Sequence, residues 1–217
     1  MENILLFGAT GRVGKLVLNY ALQQGYHVTA LVRDPEKLTV KHDNLKVVKG
    51  SSYELKDVEK AVEGCNVIIS TLNNMRASDN PWARPVSESN LMEQSIKNVL
   101  SAIKDTSKIR LINVTAQGAG ENNTQMPFLL RLLLKYSNLK VVYKDHDNTE
   151  LVVKNSDTNW TIVRPVVLSG KARNKKLLVN DGSATGSYIN RQTVAKFLID
   201  IINDSSYFKK AVTISEK

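Results

Sequence analysis

The chain opens almost at once on "ILLFGATGRVGK", residues 4–15, an apolar run that breaks into three glycines. The run Ile4-Leu5-Leu6-Phe7 has no polar alternation, the pattern of a parallel strand buried on both faces. Behind it Val13, Leu16, Val17, Tyr20, Ala21 and Leu22 recur at helical spacing, and the pattern stops near Gly25. Gly8, Gly11 and Gly14 therefore fall on a strand-to-helix turn. Residues without Cβ let the backbone come close to a ligand. The helix behind them offers unsatisfied N–H groups and the positive end of its dipole, which suit a pyrophosphate. The spacing is G-x-x-G-x-x-G, not the G-x-G-x-x-G of the commonest dinucleotide fingerprint.

Working outward, apolar and β-branched segments recur at 4–7, 27–32, 45–48, 67–71, 109–114 and 160–163. Amphipathic stretches such as 55–62 and 91–103 lie between them, and a last helix over 192–202 precedes the terminal run 211–214. Strand and helix in alternation predict an α/β doubly wound Rossmann fold with a central parallel sheet. No linker or repeat divides the 217 residues, so a single domain over 1–217 is expected. The segments 73–85, 117–127 and 169–187 each follow a strand and read as irregular. Ligands in open α/β sheets sit at the carboxyl ends of strands, so these loops should build the substrate side.

The composition narrows the classes. With 42% apolar and 24% charged residues the chain reads as a globular protein rather than a disordered one. No apolar run approaches the roughly 18 residues of a membrane span, and Glu2 and Asn3 are unlike a secretory leader. A cytoplasmic address, no membrane partner, and a monomer or weak dimer are the expectations. The single Cys65 cannot form an intramolecular disulfide, and reads as a small buried hydrophobe. His27, His42 and His146 are scattered, so no metal set is expected. Thirty basic against 21 acidic residues give a net charge of +9, which attracts anions. The lysines are dispersed apart from the run at 171–176, without interleaved aromatics or a basic recognition helix, so nucleic acid is not the expected partner.

The second strand carries a discriminating residue. NAD-selective sites place an acidic side chain at its end, roughly 20 residues past the glycines, to bind the ribose hydroxyls. Here that position is Arg33, in "ALVRDPEKL", with Asp34 one place later. A guanidinium there can pair bidentately with a ribose 2′-phosphate, and Arg12 in the glycine turn can meet it from the other side. The expected cofactor is NADP(H).

"GATGRVG", "LVRDPEKL", "VVKG", "AVEGCNVIISTL", "KIRLINVTAQGAG" and "ELVVKNSDTNWTIVRP" follow one another in the order of the atypical short-chain dehydrogenase/reductases. The chain resembles these NAD(P)-binding Rossmann proteins, NmrA-like regulators among them, from residue 3 to about 215, closing on "SYINRQTVAKFLIDIIND". Within them it looks most like the biliverdin-IX-beta reductase/flavin reductase group. The resemblance implies cofactor contacts at Gly8, Thr10, Gly11, Arg12, Val13, Gly14 and Arg33. It adds Ser51 and Ser52 near the adenine, Leu72 and Asn73 after the fourth strand, and Thr115 after the fifth. Pro165 and Val166 would line the nicotinamide. Many relatives carry Asp after the third-strand glycine, where this chain has Gly50-Ser51-Ser52.

Conventional short-chain dehydrogenases use a Tyr and a Lys four positions on, the lysine lowering the tyrosine pKa. Tyr136 and Lys140 have that spacing, but counting back from Arg164-Pro165 puts the relatives' tyrosine, lysine and glutamate positions on Val142, His146 and Glu150. The Tyr136–Lys140 match reads as chance. Thr115 could bond a substrate carbonyl or the nicotinamide amide, and His146 could donate a proton near neutral pH. Tyr143 lies one place out of register, and Glu150 reads as structural. A cofactor site without a strong acid–base dyad suits hydride transfer to an acceptor that needs little help. The expected activity is an NADPH-dependent reductase of a flavin-, quinone- or tetrapyrrole-like aromatic acceptor. The alternative is a non-enzymatic NADP(H)-binding sensor or regulator, and a sugar-nucleotide isomerase or epimerase ranks last.

Overall fold

The computed structural model of the protein describes residues 2–74, 76–121, 128–170, 175–182 and 186–217. Among the described residues ten strands are interspersed with helices: β1 (Asn3–Phe7), α1 (Gly14–Gln23), β2 (His27–Val32), β3 (Leu45–Lys49), α2 (Leu55–Val62) and β4 (Val67–Ser70) come first. They are followed by α3 (Leu91–Ala102), β5 (Arg110–Val114), α4 (Phe128–Tyr136), α5 (Leu139–Lys154), β6 (Asn159–Pro165) and β7 (Val167–Ser169). The chain closes with β8 (Leu177–Asn180), β9 (Tyr188–Asn190), α6 (Arg191–Asp200) and β10 (Lys210–Glu216).

Eight strands form one sheet in the order β3-β2-β1-β4-β5-β6-β10-β8. All pair in parallel except β8, which runs antiparallel to β10. β7 and β9 make a separate two-stranded parallel ribbon, Val167 opposite Tyr188. The doubly wound reading holds, and β1 shows why its strand is uniformly apolar. Ile4 and Leu6 face a core shared with Val17 and Leu18 of α1 and Val194 and Leu198 of α6. Leu5 and Phe7 face the other core, with Val58 of α2, Ile96 of α3 and Val153 of α5. Every other position meets one layer of helices, so no polar residue is tolerated on either side.

α1 ends as its sequence suggests. Gly25 takes φ +82°, and Tyr26 N–H reaches back to the Ala21 carbonyl at 3.1 Å, which satisfies a terminal acceptor. The strand order reverses between β1 and β4, and the open crevice at their carboxyl ends is the usual ligand position. The segment 169–187, read as irregular, contains β8 and leads into β9. Leu177 to Asn180 find partners on β10, so a short run with no local signal becomes a sheet edge. Among the described residues no helix is long and apolar enough to cross a membrane. Four residues of the basic run, 171–174, lie outside the described residues, as do 122–127 of the second loop.

Candidate cofactor site

The glycine turn is shaped by close contact. Gly8 has φ +81°, and a Cβ on it would lie 2.6 Å from Thr71 Oγ1 and 3.0 Å from the Thr71 carbonyl oxygen. Gly11 N–H closes the turn on the Gly8 carbonyl at 2.8 Å. A Cβ on Gly14 would sit 2.6 Å from the Gly8 carbonyl carbon and closer still to its oxygen. β1, the turn and α1 can pack this tightly only without side chains at 8 and 14. The turn thus leaves an open backbone cradle at the start of α1, as a pyrophosphate needs. Thr71, which sequence reading leaves unassigned, donates its hydroxyl to the Phe7 carbonyl at 2.9 Å and forms the floor under the turn. Its only sequence signal is its place immediately after β4, beside the switch point.

Thr10 and Val13 are half-buried in the turn, and Gly11 and Arg12 are exposed. Arg33 is exposed one residue beyond β2. The neighbouring acid is already committed: Asp34 Oδ1 accepts from Glu36 N–H at 3.3 Å, and Oδ2 pairs with Lys37 at 3.2 Å. The carboxylate caps the short 3-10 turn Pro35–Lys37 instead of facing a ribose. At the end of β3, Ser51 N–H donates to Asp57 Oδ2 at 3.0 Å, while Ser51 Oγ accepts from Tyr53 N–H at 3.2 Å. Ser52 Oγ is held by Ser95 Oγ at 2.8 Å. Ser51 braces the loop against α2 through its backbone N–H, and Ser52 braces it against α3 through its hydroxyl. Leu72 is half-buried and Asn73 exposed just past β4.

On the far side of the crevice Thr115, Glu150 and Arg164 form one buried network. Arg164 Nε donates to Glu150 Oε1 at 2.8 Å, and Thr115 Oγ1 donates to the same oxygen at 2.9 Å. Arg164 also reaches Glu121 at 3.0 Å. Gly120, at φ +59°, lies so close over the Glu150 carboxylate that a side chain there would collide with it. Burial pushes the Glu121 carboxyl upward, but hydrogen bonds from Lys154 and Arg164 outweigh it and hold the pKa at about 2. Beyond this network Pro165 accepts from Gln117 N–H at 3.0 Å, and Val166 is buried with its N–H on the Ile214 carbonyl at 3.1 Å. The next side chain, Val167, is exposed, as is its ribbon partner Tyr188.

The proton donors suggested by the sequence are arranged differently. Thr115 spends its hydroxyl proton on Glu150 and is 5% exposed, so it has none to give a substrate carbonyl. His146 is buried, 3% exposed. Burial pulls its pKa down to about 4, so the ring is neutral at pH 7 and a poor acid. Tyr143 stacks edge-on to it with ring centroids 5.8 Å apart and donates its hydroxyl to the Gln117 carbonyl at 3.0 Å. Burial pushes the Tyr143 phenol up to about 12. Tyr136 ends α4 and is exposed, whereas Lys140 belongs to α5, so the pair with dehydrogenase spacing does not share a helix. Asp145, on α5, accepts from Met92 and Glu93 N–H at 2.9 and 3.0 Å, capping α3 from a neighbouring helix. Asn74 joins it at 2.7 Å and ties the loop after β4 to α5.

A Rossmann sheet with a glycine cradle at its switch point, and a buried Thr-Glu-Arg network across the crevice, has the layout of a nucleotide-binding protein. A model of the NAD(P)H-binding family matches residues 8–205, and the chain belongs to that family. It is similar to eugenol synthase 1 from Petunia hybrida, at 21% identity over 227 residues, covering 98% of this chain and 68% of that one. Among solved structures it resembles ChuY, an anaerobillin reductase from Escherichia coli O157:H7, with a TM-score of 0.79 at 21% identity and 99% and 97% of the two chains covered. A short-chain dehydrogenase/reductase from Veillonella parvula, solved in complex with NADP, superimposes with a TM-score of 0.75 at 18% identity over 99% and 94%.

Proposed function

We propose that this chain is an NADPH-dependent reductase that passes hydride to a flavin-, quinone- or tetrapyrrole-like aromatic acceptor. The observation that carries the reading is the state of the donors beside the crevice. Thr115 and Tyr143 donate their hydroxyl hydrogen bonds to protein oxygens, and His146 is buried and neutral. A conjugated ring that takes hydride directly and draws its second proton from solvent needs none of them. When bound, the reduced nicotinamide supplies the hydride; the protein's part is alignment. Gly8, Gly11 and Gly14 leave room for the diphosphate, with Thr10, Arg12 and Val13 around it, and Arg33 selects the 2′-phosphate. Ser51 and Ser52 border the adenine through their backbone. Leu72, Asn73, Pro165 and Val166 hold the nicotinamide, and exposed Val167 and Tyr188 offer apolar surface to the acceptor ring. The NADP held by the Veillonella relative and the reductase activity named for ChuY support this assignment.

The same engaged donors favour a second reading, an NADP(H)-binding sensor without turnover. Steady-state NADPH oxidation against free flavins, quinones and linear tetrapyrroles separates the two. The reductase reading predicts turnover with at least one class. Tight NADPH binding with no oxidation across the panel would leave the sensor.

A further inference from the structure

Arg12, exposed on the glycine turn, is paired within the chain. Its guanidinium grips the Asp79 carboxylate with both prongs, Nη1 to Oδ2 at 3.2 Å and Nη2 to Oδ1 at 3.1 Å. Asp79 stands at the tip of a hairpin-like excursion after β4, closed by the Arg76–Pro85 bridge and the Ala77 N–H to Arg84 carbonyl bond at 3.0 Å. The fork therefore ties the glycine turn to the loop across the mouth of the crevice. The loop does not need it as an anchor. Asn138 already holds the tip through the Pro81 and Trp82 carbonyls at 3.1 and 2.8 Å, and Asn74 holds the base through Ser89 at 3.2 Å. The two ionic side chains are 67% and 83% exposed, so the pair adds little to stability.

Two more guanidinium groups bear on the same carboxylate. The Arg12 hydrogen bonds come first, and the charges of Arg76 and Arg191 add to them, holding the Asp79 carboxyl below the ordinary range. Arg191 opens α6; its Nη2 touches the Leu168 carbonyl at 3.4 Å, and its Nε is buried without a hydrogen-bond partner. Around the glycine turn, then, the Arg12 fork and the charges of Arg76 and Arg191 bear on one carboxylate.

Resting on the cofactor reading above, we propose that Asp79 stands in for a dinucleotide phosphate, filling an anion site made by Arg12, Arg76 and Arg191 until the cofactor displaces it. A phosphate carries more charge and more acceptor oxygens than a carboxylate, so it wins the forked guanidinium when it arrives. Asp79 is thus a competitor within the chain, and it sets the cofactor concentration at which the site fills.

The test is direct titration of the full-length protein with NADPH and with NADH at fixed ionic strength, followed by calorimetry. Asp79→Asn should tighten NADPH about 2- to 5-fold, the span of one exposed ion pair. The gain should vanish when Arg12→Ala is added, because the two residues act as a unit. A gain for NADPH alone places the displaced carboxylate at the 2′-phosphate; a gain for both nucleotides places it at the pyrophosphate. Arg191→Gln should loosen NADPH by at least about fivefold. Equal or weaker NADPH binding by Asp79→Asn, or a gain that survives in the Arg12→Ala background, overturns the competitor. An unchanged constant for Arg191→Gln removes that residue from the site and overturns the three-cation arrangement. No uptake of either nucleotide by any variant or by the parent overturns the cofactor reading as well, which keeps the two failures distinct.

Discussion

A methyl group on Gly14 has nowhere to go, because the Gly8 carbonyl fills the space it would need. Gly14→Ala must push α1 off β1. The expected cost is about 1–3 kcal/mol in urea unfolding, together with loss of nucleotide binding. A wild-type midpoint with wild-type affinity would contradict the packing described. Arg33→Ala should weaken NADPH by about 1.5–3 kcal/mol and leave NADH nearly unchanged, because Asp34 is tied to its own turn and cannot take over the ribose. Equal losses for both nucleotides would show that Arg33 does not read the extra phosphate. These positions are legible in sequence because their requirement is local: a turn without Cβ, or a charge at the end of one strand. Thr71 and Asp79 are not legible, since their partners lie 64 and 67 residues away and only the sheet order brings them together.

At the scale of elements, α5 is joined to β6 through the Glu150–Arg164 pair, both side chains nearly inaccessible to solvent. Glu150→Ala would leave the Arg164 guanidinium buried without its closest carboxylate, with Glu121 the remaining hydrogen-bond partner among the described residues. Breaking such a pair from one side costs about 3–5 kcal/mol, and Glu150→Gln, which keeps the shape and one acceptor, should cost less. Chemical denaturation checks both, and a loss below about 1 kcal/mol for Glu150→Ala would contradict the network. Most strands of the nucleotide half are readable from runs of apolar and β-branched residues, as at Asn3–Phe7, His27–Val32 and Val67–Ser70. β8 is not. "KLLVND" carries too few residues to declare a strand, and its antiparallel place beside β10 follows from chain closure rather than from any local period. The break between α4 and α5 at 137–138 is equally silent, yet it decides that Tyr136 and Lys140 never form a dyad.

For the molecule as a whole, stability should fall on acidification in two windows. His146 is buried neutral with its pKa depressed to about 4, so its contribution is complete above pH 6.5 and is lost as pH drops through 4. A shift of that size corresponds to about 3 kcal/mol. Urea midpoints measured from pH 7 to 4 should decline, and His146→Phe should flatten most of that slope; an identical slope in the variant would contradict it. Glu121, with its carboxyl lowered to about 2, contributes above pH 4.5 and gives way only as pH falls from there towards 2. The parallel strands and the glycine turn are thus readable from residue order. The state of each proton donor was not, because burial and hydrogen-bond partners are properties of the folded chain. The claim on which the account stands is that the turn at residues 8–14 holds the phosphates of NADPH. Calorimetric titration of the wild-type protein with NADPH and NADH tests it most directly: one nucleotide per chain, with NADPH the tighter, is the predicted result, and no uptake of either would contradict it.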